Sequence, residues 1–191
     1  TATNAFSTHQ RPAIVLADGT YSILNYEIIS EDYRPKFLIS GDSMGASNRV
    51  LYSDSLQGKL ESSLPYKAGC VAAGSCKLEG MLAAQLWEAK MIKPEFLVIF
   101  HYLNTVQSGE ANPINAGYAT WVANFARFIA SVKGMGITPI IVYPQTWAIL
   151  DPTGTNSAFY ETHLLTNFAT EILIKVLTVD SHYDATGFHY N

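Results

Sequence analysis

The tetrad Gly41-Asp42-Ser43-Met44 follows directly on the apolar run Phe37-Leu38-Ile39-Ser40, which sets a serine just past the carboxyl end of a buried strand. In an open α/β sheet that edge is where ligands bind, and a hydroxyl there, with glycine freeing the backbone before it, is placed like a nucleophile. The same tripeptide is also an ordinary turn, in which Asp and Ser bond their own backbone. A serine attacks only when an imidazole takes its proton, and the anion that forms needs donors. Three other segments offer these groups. The carboxyl-terminal Asp180-Ser181-His182-Tyr183-Asp184-Ala185-Thr186-Gly187-Phe188-His189-Tyr190-Asn191 carries histidines and carboxylates in one loop, with His189 as the candidate base. The apolar run Phe96 to Phe100 leads to Asn104, whose NH2 can donate to an oxyanion, although an Asn past a strand is equally a turn residue. Ala72-Ala73-Gly74-Ser75 precedes a helix, so the Gly74 N–H can point into a site or simply make the turn.

Positioning these groups requires strands that end together. Near-continuous apolar runs, suited to strands covered on both faces, occur at Lys36 to Ser40, more weakly at Tyr66 to Val71, and at Phe96 to His101, Ile137 to Tyr143 and Lys175 to Val179. Between them Leu78, Met81, Leu82, Gln85 and Leu86 recur at helical spacing, as do Tyr118, Trp121, Val122, Phe125, Phe128, Ile129 and Val132. Those aromatics read as core stripe. Lys90, Lys93 and Pro94 end the first helix, Gly134 and Gly136 the second, and a last helix is expected over Phe159 to Ile174. Pro144 to Ser157 reads as a long loop and a pocket wall. The alternation predicts a parallel sheet of about five strands with helical crossovers over residues 36–191. Residues 1–35, with Ala17-Asp18-Gly19-Thr20 between β-prone stretches, are expected to form a hairpin extension packed on that body.

Composition narrows the partners. The 191 residues carry 12 Lys plus Arg against 16 Asp plus Glu, a net charge of −4, and no basic run suits nucleic acid. No apolar stretch approaches the roughly 20 residues that span a bilayer. The sequence does not begin with methionine, so targeting information is expected to be gone. Cys70 and Cys76 are either a local disulfide or two independent thiols, and no nearby histidine completes a zinc site with them.

The order of the blocks, Gly-Asp-Ser after the first strand, glycine after the second, Asn after the third and His at the end, resembles the SGNH (GDSL-like) hydrolases over about Phe37 to Asn191. The resemblance implies a three-layer α/β/α sandwich with a flavodoxin-like sheet, and a serine hydrolase with no metal or organic cofactor. It implies Ser43 as nucleophile, His189 as general base, and the N–H groups of Ser43 and Gly74 with the side-chain NH2 of Asn104 as the oxyanion hole. Gly69 is an alternative for the second block.

Three departures qualify the carry-over. The family's third block usually reads Gly-x-Asn-Asp, whereas Tyr102-Leu103-Asn104-Thr105 stands here, putting a ring beside the oxyanion site. The last block usually reads Asp-x-x-His, but Thr186 stands where the acid belongs. Asp184 is the nearest substitute as orienter of His189, with Asp180 or no carboxylate as alternatives. The family also continues into a closing helix, and downstream sequence is expected to be missing after Asn191. Asp42 is expected to meet substrate, as are Tyr102, Trp147 and Tyr190, with Tyr143, whose aromatic faces pack on sugar rings. The expected activity is removal of acyl groups, acetyl foremost, from carbohydrate such as bacterial surface polysaccharide, by a secreted, cell-surface or virion-borne protein. Alternatives are a lipase, thioesterase or acyltransferase with the same residues, and a non-catalytic carbohydrate-binding or structural module.

Overall fold

A computed structural model of the chain describes residues 3–5, 13–15, 35–43, 45, 55–144 and 151–176. Residues 1–33 and 34–191 form two compact units. In the first, β1 (Thr3–Ala5) pairs antiparallel with β2 (Ala13–Val15), with Thr3 opposite Val15 and Ala5 opposite Ala13. The expected turn Ala17-Asp18-Gly19-Thr20 lies outside the described residues.

The second unit holds a five-stranded, wholly parallel sheet in the order β4-β3-β5-β6-β7. The strands are β3 (Phe37–Gly41), β4 (Ala68–Cys70), β5 (Phe96–Phe100), β6 (Thr138–Pro144) and β7 (Ile172–Val176). Alternation along each strand divides the core in two. Leu38, Leu97, Ile99 and Ile141 face one side, against Leu78, Met81, Trp121, Phe125, Phe128, Tyr160 and Leu164. Ile39, Val98, Phe100 and Val142 face the other, against Leu56 and Leu60. Helices α1 (Leu56–Ser63), α5 (Tyr118–Gly134) and α6 (Thr155–Asn167) supply those partners. So does a continuous helical stretch of α2 (Leu78–Gly80), a π-helical turn (Met81–Gln85) and α3 (Leu86–Ile92). The result is the expected α/β/α sandwich.

Boundaries differ from expectation for local reasons. The last helix starts at Thr155 rather than Phe159 because the Asp151 carboxylate accepts the Ser157 N–H at 2.7 Å, satisfying a first-turn donor. It ends at Asn167, whose amide turns back onto the His163 carbonyl at 3.0 Å, so β7 begins at Ile172 rather than Lys175. Helix α1 was not anticipated; Ser55 caps it, its Oγ accepting the Gly58 N–H at 3.0 Å. Among the described residues no helix is long and apolar enough to cross a membrane.

Candidate active site

The chain leaves β3 toward β4 on one side, and leaves β5 toward β6 on the other. Loops that diverge from adjacent parallel strands open a crevice at their carboxyl ends, the usual ligand position of such sheets. Ser43 follows β3 and Asn104 follows β5, so the two residues flank that crevice.

Gly41 makes the turn out of β3 possible. Its φ is +142°, and a Cβ there would lie 2.1 Å from the Phe100 carbonyl oxygen, so only glycine lets the strands meet. The ladder continues one step further, with the Asp42 N–H donating to the Phe100 carbonyl at 3.1 Å. The Gly45 N–H then donates to the Asp42 carbonyl at 3.2 Å, closing a tight turn with Ser43 at its corner. Ser43 is 7 % exposed.

Asn104 belongs to the short helix α4 (Leu103–Ser108), also unanticipated. Its main-chain N–H donates to Asp42 Oδ2 at 3.3 Å, so the acid of the Gly-Asp-Ser block ties the turn that carries Ser43 to the amide-bearing helix. The Asp42 side chain, expected to meet substrate, is fully buried and accepts this bond from the Asn104 backbone. The Asn104 amide donates one hydrogen to the Cys76 carbonyl at 2.9 Å. An amide carries two, and the second has no acceptor among the described residues.

Gly74 reaches the same edge. Beyond β4 the backbone keeps bonding to β3, Val71 N–H to the Ile39 carbonyl at 2.8 Å and Ala73 N–H to the Gly41 carbonyl at 3.2 Å. A turn closed by the Cys76 N–H on the Ala73 carbonyl follows, with Gly74 and Ser75 at its corners and Ser75 at φ +59°. Gly69 lies inside β4 opposite Leu38, with Pro35 and Leu38 side chains packed against it, whereas Gly74 lies in the turn beyond the strand.

Cys70 and Cys76 are free thiols. Cys70 donates to the Gly45 carbonyl at 3.3 Å. Cys76 accepts from Gln85 Nε2 at 3.2 Å, and burial, with the nearby Asp42 charge, pushes its thiol pKa up against the opposing Gln85 hydrogen bond. Gln85 also bonds the backbone of Gly41. Its only trace in the sequence is one polar residue within the apolar stripe Leu78, Met81, Leu82, Leu86.

Other expected contacts resolve differently. Tyr102 is wholly buried in the core, edge-on to Tyr160 with ring centroids 5.2 Å apart, so its ring offers no face to a sugar. Its hydroxyl donates to Ser157 Oγ at 2.7 Å, and Ser157 Oγ donates to Asp151 Oδ2 at 2.7 Å. The bulk that replaces the third block's glycine therefore points away from the crevice. Tyr143 is likewise buried, 3.4 Å from Glu161 Oε1, and burial holds its hydroxyl pKa above the usual value. Beneath the crevice His101 is fully buried, with Nε2 2.9 Å from Thr105 Oγ1, and burial lowers its pKa to about 4. His189, Asp184, Asp180, Thr186, Trp147 and Tyr190 lie outside the described residues. Among the described residues no three His, Cys, Asp or Glu side chains gather into a group that could hold a metal ion.

No protein-family model matches the chain, and no curated protein matches it by sequence. Solved structures do. The chain is similar to TesA at 19 % identity, with a TM-score of 0.59 over 81 % of this chain and 88 % of that one. It is similar to the psychrotrophic esterase EstA from Pseudoalteromonas sp. at 10 % identity, with a TM-score of 0.60 over 81 % and 87 %. A variant of the acetyl xylan esterase Axe2 from Geobacillus stearothermophilus matches at 12 % identity, with a TM-score of 0.59 over 82 % and 87 %. Further matches include a G-D-S-L lipolytic protein and a GDSL-like lipase. At these identities the likeness is one of fold, and with the parallel sheet and its flanking helices it gives residues 34–191 the fold of the GDSL/SGNH hydrolases.

Proposed function

We propose that this chain is a serine esterase that removes acyl groups, acetyl foremost, from carbohydrate. One observation carries the reading: Ser43 and Asn104 flank the crevice between β3 and β5 and are joined through Asp42, with the Gly74 turn bonded to the same strand end. The acetyl xylan esterase among the similar structures supports the acyl group and the sugar.

In this mechanism Ser43 Oγ attacks the ester carbonyl carbon while His189 takes its proton, and Asp184 orients the imidazole. The carbonyl oxygen becomes an oxyanion facing the N–H of Ser43, the N–H of Gly74 and the spare amide hydrogen of Asn104; each such donor is worth roughly 100- to 1,000-fold in rate. The C–O bond to the sugar breaks as His189 returns the proton to the leaving hydroxyl. Water, deprotonated by His189, attacks the acyl-serine, and the carboxylic acid leaves with Ser43 restored. The protein would act outside the cell, at a cell surface or on a virion, where acetylated polysaccharide lies. Trp147 and Tyr190 remain the candidates for sugar contact.

Acetate release from a panel of acetylated polysaccharides, beside hydrolysis of p-nitrophenyl acetate, tests reaction and substrate together. Wild type is expected to turn over both, and Ser43→Ala to lose roughly 1,000-fold or more. Activity in neither protein removes the esterase reading and favours a binding module. Equal activity in both removes Ser43 from its role. Preference for long-chain esters, thioesters or a sugar acceptor over water selects the lipase, thioesterase or acyltransferase alternative.

A further inference from the structure

We propose that Gln85 is a positioning residue that holds the nucleophile turn, the glycine turn and Asn104 in one arrangement, an inference that rests on the esterase reading above. Gln85 is 4 % exposed and uses its full hydrogen-bonding capacity. Its Oε1 accepts from Ser40 Oγ at 2.6 Å and from the Gly41 N–H at 2.7 Å. Its Nε2 donates to the Gly41 carbonyl at 2.9 Å and to Cys76 Sγ at 3.2 Å. The Cys76 carbonyl in turn holds the Asn104 amide at 2.9 Å. One side chain thus connects the strand end that carries Ser43, the turn that carries Gly74, and the amide across the crevice.

Gly41 needs such a restraint. Glycine is the residue with the most backbone freedom, and at φ +142° no side chain of its own locks the peptide in place. Gln85 grips both polar atoms of its main chain from the helical layer, two residues upstream of Ser43. The π-helical turn Met81–Gln85 ends on this residue, and such turns are rare and concentrate at functional positions. A Met in place of Gln85 would match its length and burial and make none of the four bonds. A Glu would keep the acceptor, but its ionised form offers Gly41 no donor; protonation restores one.

The test compares wild type, Ser43→Ala, Gln85→Met, Gln85→Glu and Gln57→Met on p-nitrophenyl acetate. Gln57 is the matched control, a buried glutamine whose Nε2 donates to the Ala68 carbonyl at 2.7 Å, at the opposite end of the sheet. Gln85→Met is expected to lower kcat roughly 10- to 100-fold, the effect of reacting groups displaced by up to about 1 Å, with KM nearly unchanged. Gln57→Met should lose stability and keep wild-type kcat. For Gln85→Glu, activity divided by that of wild type should climb as pH falls from about 8 to about 5, because the protonated acid regains the donor. This variant decides the matter if Gln85→Met does not fold. Wild-type kcat in folded Gln85→Met, or a pH-independent ratio for Gln85→Glu, overturns the proposal. If wild type itself hydrolyses nothing, the esterase reading fails separately, and amide hydrogen exchange at Gly41 still judges the clamp. Faster exchange in either Gln85 variant upholds the clamp, and unchanged exchange overturns it.

Discussion

Replacing Gly41 with alanine measures how tightly the candidate site is built into the sheet. The added Cβ would stand 2.1 Å from the Phe100 carbonyl oxygen and 2.6 Å from its carbonyl carbon, both inside the 3.0 Å closest approach of real Cβ atoms, the oxygen by about 0.9 Å. Both atoms are backbone of β5, so no rotamer change relieves the overlap; β3 and β5 must part. Parting them stretches the Asp42 N–H bond to Phe100 and the Gln85 bonds to Gly41, each worth about 1 kcal/mol. The positive φ adds about 1–3 kcal/mol for a non-glycine residue. Together these come to about 4–6 kcal/mol, a large part of an ordinary domain's 5–15 kcal/mol. Gly136→Ala is the control, because its φ of +75° is also unfavourable for alanine while nothing lies within 4 Å of its Cβ; it should cost about 1–2 kcal/mol. Urea unfolding followed by circular dichroism gives both numbers, and p-nitrophenyl acetate hydrolysis by folded Gly41→Ala should fall roughly 100-fold. If Gly41→Ala costs no more than Gly136→Ala, the close approach of β3 to β5 is wrong, and the turn that carries Ser43 loses its structural basis.

Two further outcomes follow from buried polar groups. His101, with its pKa lowered to about 4 by burial, binds fewer protons folded than unfolded between that value and about 6.5, so stability is full above about 6.5 and falls as pH drops toward 4, by about 3 kcal/mol in all. His101→Gln should flatten most of that acid slope in unfolding free energies measured from about pH 4 to 7, leaving the smaller contribution of His163, whose pKa is also lowered; an unchanged slope would place the titration elsewhere. Tyr102→Phe removes one buried hydrogen bond to Ser157, should cost about 1 kcal/mol by the same assay, and should leave acetate release from polysaccharide intact. A loss confined to polysaccharide substrates would return Tyr102 to the sugar site.

Much of the sheet was legible because buried parallel strands are near-continuous apolar runs, and Phe96 to Phe100 and Ile137 to Tyr143 stand out on that ground. That Ser43 and Asn104 reach one edge of the sheet was legible for the same reason, since each comes within four residues of the end of such a run. Short elements were not. Helix α1 depends on one capping serine, and α4 is six residues opened by a tyrosine. Side-chain direction was also hidden. Tyr102 beside the crevice read as a sugar platform, and only Ser157, 55 positions away, shows why its ring turns inward. Asp42, expected to meet substrate, bonds the backbone of Asn104 62 positions away, a contact that its place in the tripeptide does not show.

The contacts that join the blocks suggest why the fold persists at 10–19 % identity to the structures it resembles. Asp42 bonds the main chain of Asn104, Asn104 that of Cys76, Gln85 that of Gly41, and Tyr160 that of His101 at 2.6 Å. A backbone N–H or carbonyl is supplied by almost any residue, so one end of each link places little demand on its partner's type. Core positions drift under a similarly loose rule, since cores tolerate hydrophobic exchange when volume is kept. The identities under strict constraint are then few: glycine at 41, where β5 leaves no room for a Cβ, and the side chains that reach across to grip a neighbouring backbone. Of these, Gly41, Asp42 and Asn104 fall within the blocks and Gln85 and Tyr160 lie outside them, so the positions that hold the crevice together are spread along the chain rather than gathered in so short a motif as Gly-Asp-Ser.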